Sequence, residues 1–463
     1  MKVIICGAGQ VGFNLAKYLS GGTSDVTLID VRAELVEKAT NSLDVRGIIG
    51  FASHPDTLEE AGAEEADLLI AVTQIDEINM IACQIAHSVF GVTSKVARVR
   101  EQAYLDQRWS TLFASEHLPI NRLISPEREV AMAIERLLEV PGAFDVFPFA
   151  DGRLLLCGVR CLAGAEVLGQ SLSDLESLFV DAQISCLAIG RQGRPLAISP
   201  EIILQADDDL YFLVPKDRAH AALAKFGHEE TEGRRVLIIG GGTIGFELAK
   251  RLEKEHSHVR VKVIEKDRAK AERAAEGLSK TTVLHGDALD FELLEEAGVA
   301  GVETLVSVSN DDQVNILGAL LAKQHGAERT VALVNSPNYS LLTGQLGIDA
   351  VVNPRGITVS TVLSYIRSGS VIGINSIFDG FGEVLEFLVR ETSKAAQQKI
   401  SDLKLPQGVI LGGIQREGSE GEIYIHGDVD TQIEVGDRVV LFVPSEHIAK
   451  VERTFAVRVD FVS

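Results

Sequence analysis

The chain has 463 residues, of which 46% are hydrophobic and 24% charged, so it is long enough for three or four globular domains. Its formal net charge of −22 disfavours binding to nucleic acid or to anionic lipid, because both depend on clusters of Lys and Arg. The acidic surface suits a basic protein partner or serves only solubility. No apolar run approaches the about 20 residues that a membrane-spanning helix needs, and the N-terminus lacks a signal-peptide pattern, so we expect a cytoplasmic protein.

The first half begins with short apolar runs that alternate with helical patterns, which predicts βαβ units and a parallel sheet. The predicted strands are 2–6, 26–30, 45–49, 68–72 and 96–99. A helix predicted over 11–19 places Val11, Leu15, Ala16 and Leu19 on one face. A second helix, predicted over 126–139, stops before Pro141-Gly142.

Beyond residue 140 the pattern changes to short alternating runs with Gly and Asp turns, ending in a strand at 209–214. This pattern predicts a small α+β module. The charged segment 228–233 has no apolar residue and is predicted to link the two halves of the chain.

The second half repeats the first at a nearly constant spacing. Residues 3–12 return at 236–245, residues 28–30 at 263–265, residues 71–79 at 307–315, residues 124–126 at 352–354 and residues 211–215 at 440–444. The chain is therefore a duplication. Its predicted fold class is α/β, with two tandem Rossmann-like parallel-sheet domains, each followed by a small α+β C-domain.

A G-x-G-x-x-G loop begins each half, directly after a predicted strand and before a predicted helix. The first glycine permits a tight turn, the second admits a pyrophosphate and the third allows close packing of helix on strand. Phosphates are expected on the free N–H groups of the helix N-terminus. The loop residues are Gly7, Ala8, Gly9, Gln10, Val11 and Gly12 in the first half, and Gly240, Gly241, Gly242, Thr243, Ile244 and Gly245 in the second.

An acidic residue ends the second strand of each half: Asp30 in the first and Glu265 in the second. A carboxylate at this position accepts hydrogen bonds from ribose hydroxyls and repels a 2′-phosphate, which favours NAD(H) or an adenine nucleotide over NADP. Arg32 leaves room for a 2′-phosphate nonetheless.

The segment after the fourth strand carries further candidates. The hydroxyls of Thr73 and Ser309 are candidates to meet a phosphate or ribose. Capping of the next helix is the alternative role for Thr73 and the preferred role for Asp311 and Asp312. Asn79 and Asn315 lie within that helix and either contact ligand or pack on the loop.

The fifth strand distinguishes the two halves. Arg98 is placed to reach phosphates, whereas its counterpart is Leu333, so the two sites are not expected to be equivalent.

Several segments together resemble the family of Trk potassium-uptake A proteins, the peripheral subunits of bacterial Trk potassium channels. The first half carries Gly50-x-x-Ser53-His54-Pro55-Asp56, Leu58-x-x-Ala61-Gly62-Ala63, Asp76-Glu77-x-Asn79-Met80 and Ala97-Arg98-Val99-Arg100. The second half carries Gly286-Asp287-Ala288 and Asn310-Asp311-Asp312 with Asn315. The family often has a polar residue where this chain has Phe51, which either stacks on adenine or partly fills the pocket. The tail after Phe455 stays unassigned.

The resemblance implies four modules: N-domains over 1–124 and 232–352, and C-domains over 140–226 and 368–455. It implies binding of NAD/NADH and ATP/ADP, a homotetrameric ring, and gating of the Trk membrane potassium-translocating subunit, which would hold the protein at the inner face of the membrane. Candidate contacts beyond those already given are Phe51, Ala52, Gln74, Asp287, Ala288 and Asn310.

Two other classes of function are alternatives to this one. An oxidoreductase would need an acid or base beside the nicotinamide, and neither a Tyr-x-x-x-Lys pair nor a His–Asp pair stands out. A purely structural scaffold with vestigial sites is the third alternative.

No metal site is predicted either. The five cysteines, at 6, 83, 157, 161 and 186, lack a second pair at metal-ligand spacing and are expected to be reduced packing residues. His256-x-His258 lacks a third ligand and is predicted to lie in a solvated loop.

Overall fold

The structure is a computed structural model that describes residues 1–21, 24–114, 116–179, 183–230, 233–336, 339, 346–366, 371–417, 423–425 and 430–455. The unassigned tail after Phe455 lies outside these residues. The chain divides into two compact units. The first contains residues 1–129 and 355–366, and the second contains residues 130–354 and 367–463.

The first unit is built on a six-stranded parallel sheet whose strand order is β3-β2-β1-β4-β5-β6. Its strands are β1 (Lys2–Cys6), β2 (Asp25–Asp30), β3 (Arg46–Ile49), β4 (Leu68–Ala71), β5 (Ser94–Arg98) and β6 (Arg122–Ile124). Its helices are α1 (Gln10–Ser20), α2 (Ala33–Ser42), α3 (Pro55–Glu60), α4 (Asp76–Ser88) and the start of α5 (Pro126–Glu139). The central strands β1 and β4 are almost entirely buried, as continuous apolar runs in a parallel sheet should be.

The second unit repeats this sheet in the order β14-β13-β12-β15-β16-β17. The strands are β12 (Arg235–Ile239), β13 (Arg260–Glu265), β14 (Thr282–His285), β15 (Thr304–Ser307), β16 (Arg329–Leu333) and β17 (Ala350–Val352). The helices among them are α8 (Thr243–Glu255), α9 (Arg268–Gly277), α10 (Phe291–Ala297) and α11 (Asp312–Gln324).

Two five-stranded antiparallel sheets complete the second unit. The first has the order β10-β9-β11-β8-β7 and comprises β7 (Ala143–Phe149), β8 (Leu154–Arg160), β9 (Ser185–Arg191), β10 (Arg194–Leu196) and β11 (Asp209–Pro215), with α6 (Leu172–Leu178) and α7 (Ala219–Lys225). The second has the order β18-β19-β22-β20-β21 and comprises β18 (Val371–Ile377), β19 (Gly382–Leu388), β20 (Ile410–Gln415), β21 (Ile423–Ile425) and β22 (Arg438–Pro444). Two further helices are α12 (Pro354–Ile366), which belongs to the first unit from Arg355 onward, and α13 (Ile448–Phe455).

The two antiparallel modules share one apolar core, in which Phe149 and Tyr211 of the first pack with Phe378 and Phe442 of the second. The backbone N–H of Ala150 also donates to the Glu386 carboxylate at 3.1 Å. The duplicated C-terminal modules therefore pack as a pair inside one unit.

A buried arginine of the second parallel sheet contacts the end of helix α5. Arg329 donates from its guanidinium to the carbonyl oxygens of Leu137 and Ala143, each at 2.5 Å. Desolvation lowers the pKa of Arg329 to about 10, so the group remains charged at neutral pH. A single cation thus binds one carbonyl in the last turn of α5, where the backbone lacks hydrogen-bond donors, and one at the start of β7.

The predicted strands of the first parallel sheet agree with the structure to within two residues at their ends, but β6 was not predicted. In the described part of the second half, its counterpart β17 is equally short, at three residues. No helix among the described residues is long and apolar enough to cross a membrane.

Candidate nucleotide-binding sites

The two glycine loops have the same geometry. Gly7 and Gly240 have φ angles of +108° and +103°, which favour glycine. A Cβ on Gly12 would lie 1.8 Å from the Gly7 carbonyl oxygen, so the third glycine is required for packing. At Gly9, in contrast, an added Cβ would meet no atom within 4 Å. The second glycine of the loop therefore faces open space.

The second loop repeats this pattern. A Cβ on Gly245 would lie 1.9 Å from the Gly240 carbonyl oxygen, and one on Gly242 would meet nothing within 4 Å. Gly9 and Gly242 are also the N-cap residues of α1 and α8, and neither helix has a side-chain cap or an acidic residue in its first turn. Their terminal N–H groups thus lack the side-chain partners that usually satisfy them, which suits an anionic ligand.

Asp30 and Glu265 lie beside these loops at the ends of β2 and β13. The Asp30 carboxylate accepts the N–H of Ala8 at 2.7 Å, and the Glu265 carboxylate accepts the N–H of Gly241 at 2.6 Å. Each also accepts the N–H two residues further along, from Arg32 and Asp267 respectively. Both carboxylates are largely buried and brace the glycine loop.

Asn79 and Asn315 hold the loop that follows the fourth strand of each parallel sheet, and both are fully buried. The Asn79 side-chain oxygen accepts the N–H of Thr73 at 2.9 Å, and its amide nitrogen donates to the carbonyl oxygen of Arg98 at 2.9 Å. Asn315 makes the same bonds, to the N–H of Ser309 at 2.7 Å and the carbonyl oxygen of Leu333 at 2.9 Å. These amides position the loop, which is one of the two roles that the sequence left open.

The threonine and serine hydroxyls of this loop bond partners in the loop or in the helix that follows it. Thr73 Oγ1 lies 2.7 Å from Asn79 Oδ1, and Ser309 Oγ donates to the carbonyl oxygen of Asp311 at 3.2 Å. Helix α4 begins after Ile75 without a side-chain cap, so Thr73 does not cap it. The neighbouring Gln74 and Asn310 are exposed.

The capping role is confirmed for Asp311, which accepts the N–H groups of Gln313 and Val314, but it is wrong for Asp312. The Asp312 carboxylate instead accepts the N–H groups of Asn335 and Ser336, on the next loop of the sheet. Asp76 does the same in the first half for Arg100 and Glu101. Sequence reasoning missed this long-range role, although the matching position of the two acids in the repeat was a signal.

The first half also concentrates cationic groups. Arg98 lies 3.6 Å from Glu127, and Arg100 lies 3.0 Å from the same carboxylate. Arg98 is mostly buried, desolvation lowers its pKa, and its Nε atom has no hydrogen-bond partner among the described residues. Its counterpart Leu333 is buried and apolar, so the two halves offer different side chains.

The residues after the third strand differ as well. Phe51 is 50% exposed, and its ring centroid lies 5.0 Å from that of His54. In the second half, Asp287 forms an ion pair of 2.8 Å with Lys266, which lowers the pKa of the carboxyl group. Ala52 and Ala288 are both buried.

The predictions for cysteine and histidine have mixed outcomes. All five cysteines are free, four are buried, and burial raises the pKa of Cys83 to about 12, as expected of packing residues. His258 is exposed, and His256 lies in the same loop after α8, but its side chain is only 20% exposed. Its Nε2 atom lies 3.1 Å from Glu135, because α5 packs against this end of α8. The described residues contain no group of three or more side chains that could hold a metal ion.

Two parallel sheets, each with an open glycine loop and an acid at the end of its second strand, define a tandem Rossmann-type protein. The family model for the TrkA-N domain matches residues 3–126 and 236–354, and the model for the TrkA-C domain matches residues 384–456. The chain belongs to the Trk system potassium uptake protein family, which confirms the resemblance drawn from the motifs.

Relatives extend over the full length of the chain. It is 45% identical to the Trk system potassium uptake protein TrkA of Azorhizobium caulinodans, and 38% identical to that of Halomonas elongata, with 100% of each chain covered in both comparisons. Among solved structures, the GsuK channel bound to NAD is similar in fold, with a TM-score of 0.59 at 18% identity, covering 98% of this chain and 78% of that one.

Proposed function

We propose that this protein is the nucleotide-binding regulatory subunit of a Trk-type potassium system, and that it gates a membrane potassium-translocating partner. The observation that carries the proposal is the pair of glycine loops, each with open space at its second glycine and an uncapped helix N-terminus. Full-length relatives named for Trk potassium uptake supply the physiological context.

The ligands in this proposal are NAD/NADH and ATP/ADP. Asp30 and Glu265 favour a ribose with a free 2′-hydroxyl, because a buried carboxylate repels a 2′-phosphate. NAD is also the ligand named for the GsuK channel, whose fold is similar. The remaining candidate contacts are Phe51, Gln74 and Arg98 in the first half, and Asp287 and Asn310 in the second.

The mechanism proposed is a shift of population between conformations. A nucleotide that binds one arrangement of the modules more tightly than another favours that arrangement, and the partner channel responds to it. A homotetrameric ring at the inner face of the membrane would bring several such sites to one channel. In this proposal the chain has no catalytic role.

The test is to co-reconstitute the protein and its membrane partner in liposomes and to measure potassium flux with and without each nucleotide. Gly9→Val and Gly242→Val should fold, because both positions have ordinary extended backbone angles and room for a side chain. They should nonetheless fill the space for phosphate. We expect flux to respond to nucleotide with the native chain and to lose that response with the double variant.

Two outcomes would contradict the gating role. Flux that ignores the protein altogether refutes the regulatory role. Flux that needs the protein but responds identically with the native chain and the folded double variant indicates a structural scaffold. The matched control is Gly12→Ala, which should fail by unfolding, since its Cβ would collide with the Gly7 carbonyl.

A further inference from the structure

Helix α12 lies late in the sequence, yet its residues from Arg355 onward belong to the unit that holds the first glycine loop. The guanidinium of Arg355 donates to the side-chain oxygen of Gln10 at 3.2 Å, across 345 positions of sequence. Gln10 is the first residue of α1 and follows Gly9 directly. A cation from the second half of the chain therefore lies beside the end of α1 where phosphate is expected.

The surroundings of Arg355 favour an anion. The N-terminus of α1 has no side-chain cap and no acidic residue in its first turn, and the space in front of Gly9 is open. A guanidinium carries five N–H donors in a planar fork that matches phosphate oxygens, so it can bind Gln10 and a phosphate together. Arg98, with its unpartnered Nε atom, adds a second arginine to the same unit.

The repeat shows that this cation is not duplicated. Residues 124–126 correspond to 352–354, so the counterpart of Arg355 is Glu127, a residue of opposite charge. Glu127 is buried and bonds Arg100 at 3.0 Å. The two halves therefore differ in charge at the same position of the repeat.

We propose that Arg355 is a ligand-contacting residue of the first nucleotide site, and that this site is built from both halves of the chain and selects nucleoside polyphosphates. This inference rests on the proposed function. The outermost phosphates of ATP or ADP extend past Gln10 towards Arg355, whereas the diphosphate of NAD is capped by a second ribose and carries less charge. Bound polyphosphate then fixes the start of α12, which precedes β18 of the second C-terminal module in the sequence.

The experiment measures the affinity of the full chain for NAD, ADP and ATP by calorimetry, with Gly242→Val introduced throughout so that only the first site is titrated. Arg355→Gln keeps a polar side chain but removes the charge. Because charge-assisted hydrogen bonds are strong, we expect it to weaken ATP binding about 10- to 100-fold, ADP binding less, and NAD binding less than about threefold. Arg355→Lys should restore part of the ATP affinity.

The control is Arg46→Gln, which removes one exposed charge at the amino end of β3, the opposite edge of the sheet from the loop. It should leave all three affinities unchanged. Equal losses for NAD, ADP and ATP, or no loss at all, would overturn the role of Arg355 while leaving nucleotide binding intact. If the chain without any substitution binds none of the three nucleotides, the proposed function itself fails.

Discussion

The Asp30 carboxylate accepts the N–H of Ala8 and so holds the glycine loop in place. The same carboxylate lies where a ribose is expected. We predict that Asp30→Ala weakens nucleotide binding to the first site roughly 10- to 150-fold, the equivalent of about 1.5–3 kcal/mol for a charged hydrogen bond. Circular dichroism should remain native-like, because the sheet does not depend on this side chain. Calorimetry on the purified chain checks the affinity.

Glu265→Ala is the matched variant for the second site. Its effect should appear as a change in a separate phase of nucleotide binding. Asp30→Asn keeps an acceptor for the Ala8 N–H, so it separates the loop contact from the charge. A change of less than about threefold in a folded Asp30→Ala variant would show that this carboxylate is not the ribose anchor.

At the scale of single residues, the sequence identified the glycines and acids because their spacing in a Rossmann unit follows from local chain geometry. It left the roles of Asn79 and Thr73 open, since a short polar side chain after a strand has several partners within reach. The distances show what Asn79 does in the fold: its side-chain amide bonds the loop after β4 at Thr73 and the end of β5 at Arg98. Asp312 was misassigned because its partners, Asn335 and Ser336, are more than 20 positions away in sequence.

At the scale of elements, the strands and helices of the parallel sheets were predictable from apolar runs and helical periodicity. The strand β6 was not, because three residues, only Ile124 of which is fully buried, carry too little pattern. The compact unit to which each part of α5 and α12 belongs was not predictable either. It depends on contacts such as that of Arg329 with Leu137, 192 positions apart.

Arg329 links β16 to the end of α5 through the carbonyl of Leu137. Replacing it by Leu removes the donors to the carbonyls of Leu137 and Ala143, and a buried acceptor left unsatisfied costs about 1–3 kcal/mol. We therefore expect Arg329→Leu to lower the Tm of the second unit by several degrees in calorimetry, roughly as a loss of 2–5 kcal/mol would. Arg329→Lys should lose less stability than Arg329→Leu, because the ammonium group keeps the positive charge.

The control for this prediction is Arg235→Leu in the same parallel sheet. Arg235 is half exposed, and its ion pair with Glu303 lies at the surface, where solvent screens the charges and such pairs contribute little to stability. The Tm of the Arg235→Leu variant should therefore hardly change. A similar decrease in Tm for Arg329→Leu and Arg235→Leu would mean that the buried contact with the end of α5 adds no more stability than a surface ion pair.

At the scale of the whole molecule, duplication provides two related sites that have diverged in charge. Arg98 and Arg355 belong to the unit of the first loop, whereas Leu333 and the Asp287–Lys266 pair belong to that of the second. The sequence alone predicted non-equivalence from Arg98 and Leu333. It gave no sign of Arg355, because the contact with Gln10 exists only in the folded chain. In the proposed function, two non-equivalent sites would let one chain respond to two nucleotides.

Gating of this kind must be reciprocal. If a nucleotide favours one state of the channel, linkage requires that the channel's state changes the affinity for that nucleotide by the same factor, typically about 5- to 150-fold. We therefore predict that complexes of this protein with its membrane partner, held open or closed by substitutions in that partner, differ in nucleotide affinity by this amount. Fluorescence titration of the reconstituted complexes measures the nucleotide affinity of each state. The isolated chain gives the reference, and Gly9→Val with Gly242→Val gives the baseline. Equal affinities in the open and closed complexes would mean that flux and nucleotide binding are not coupled through this protein.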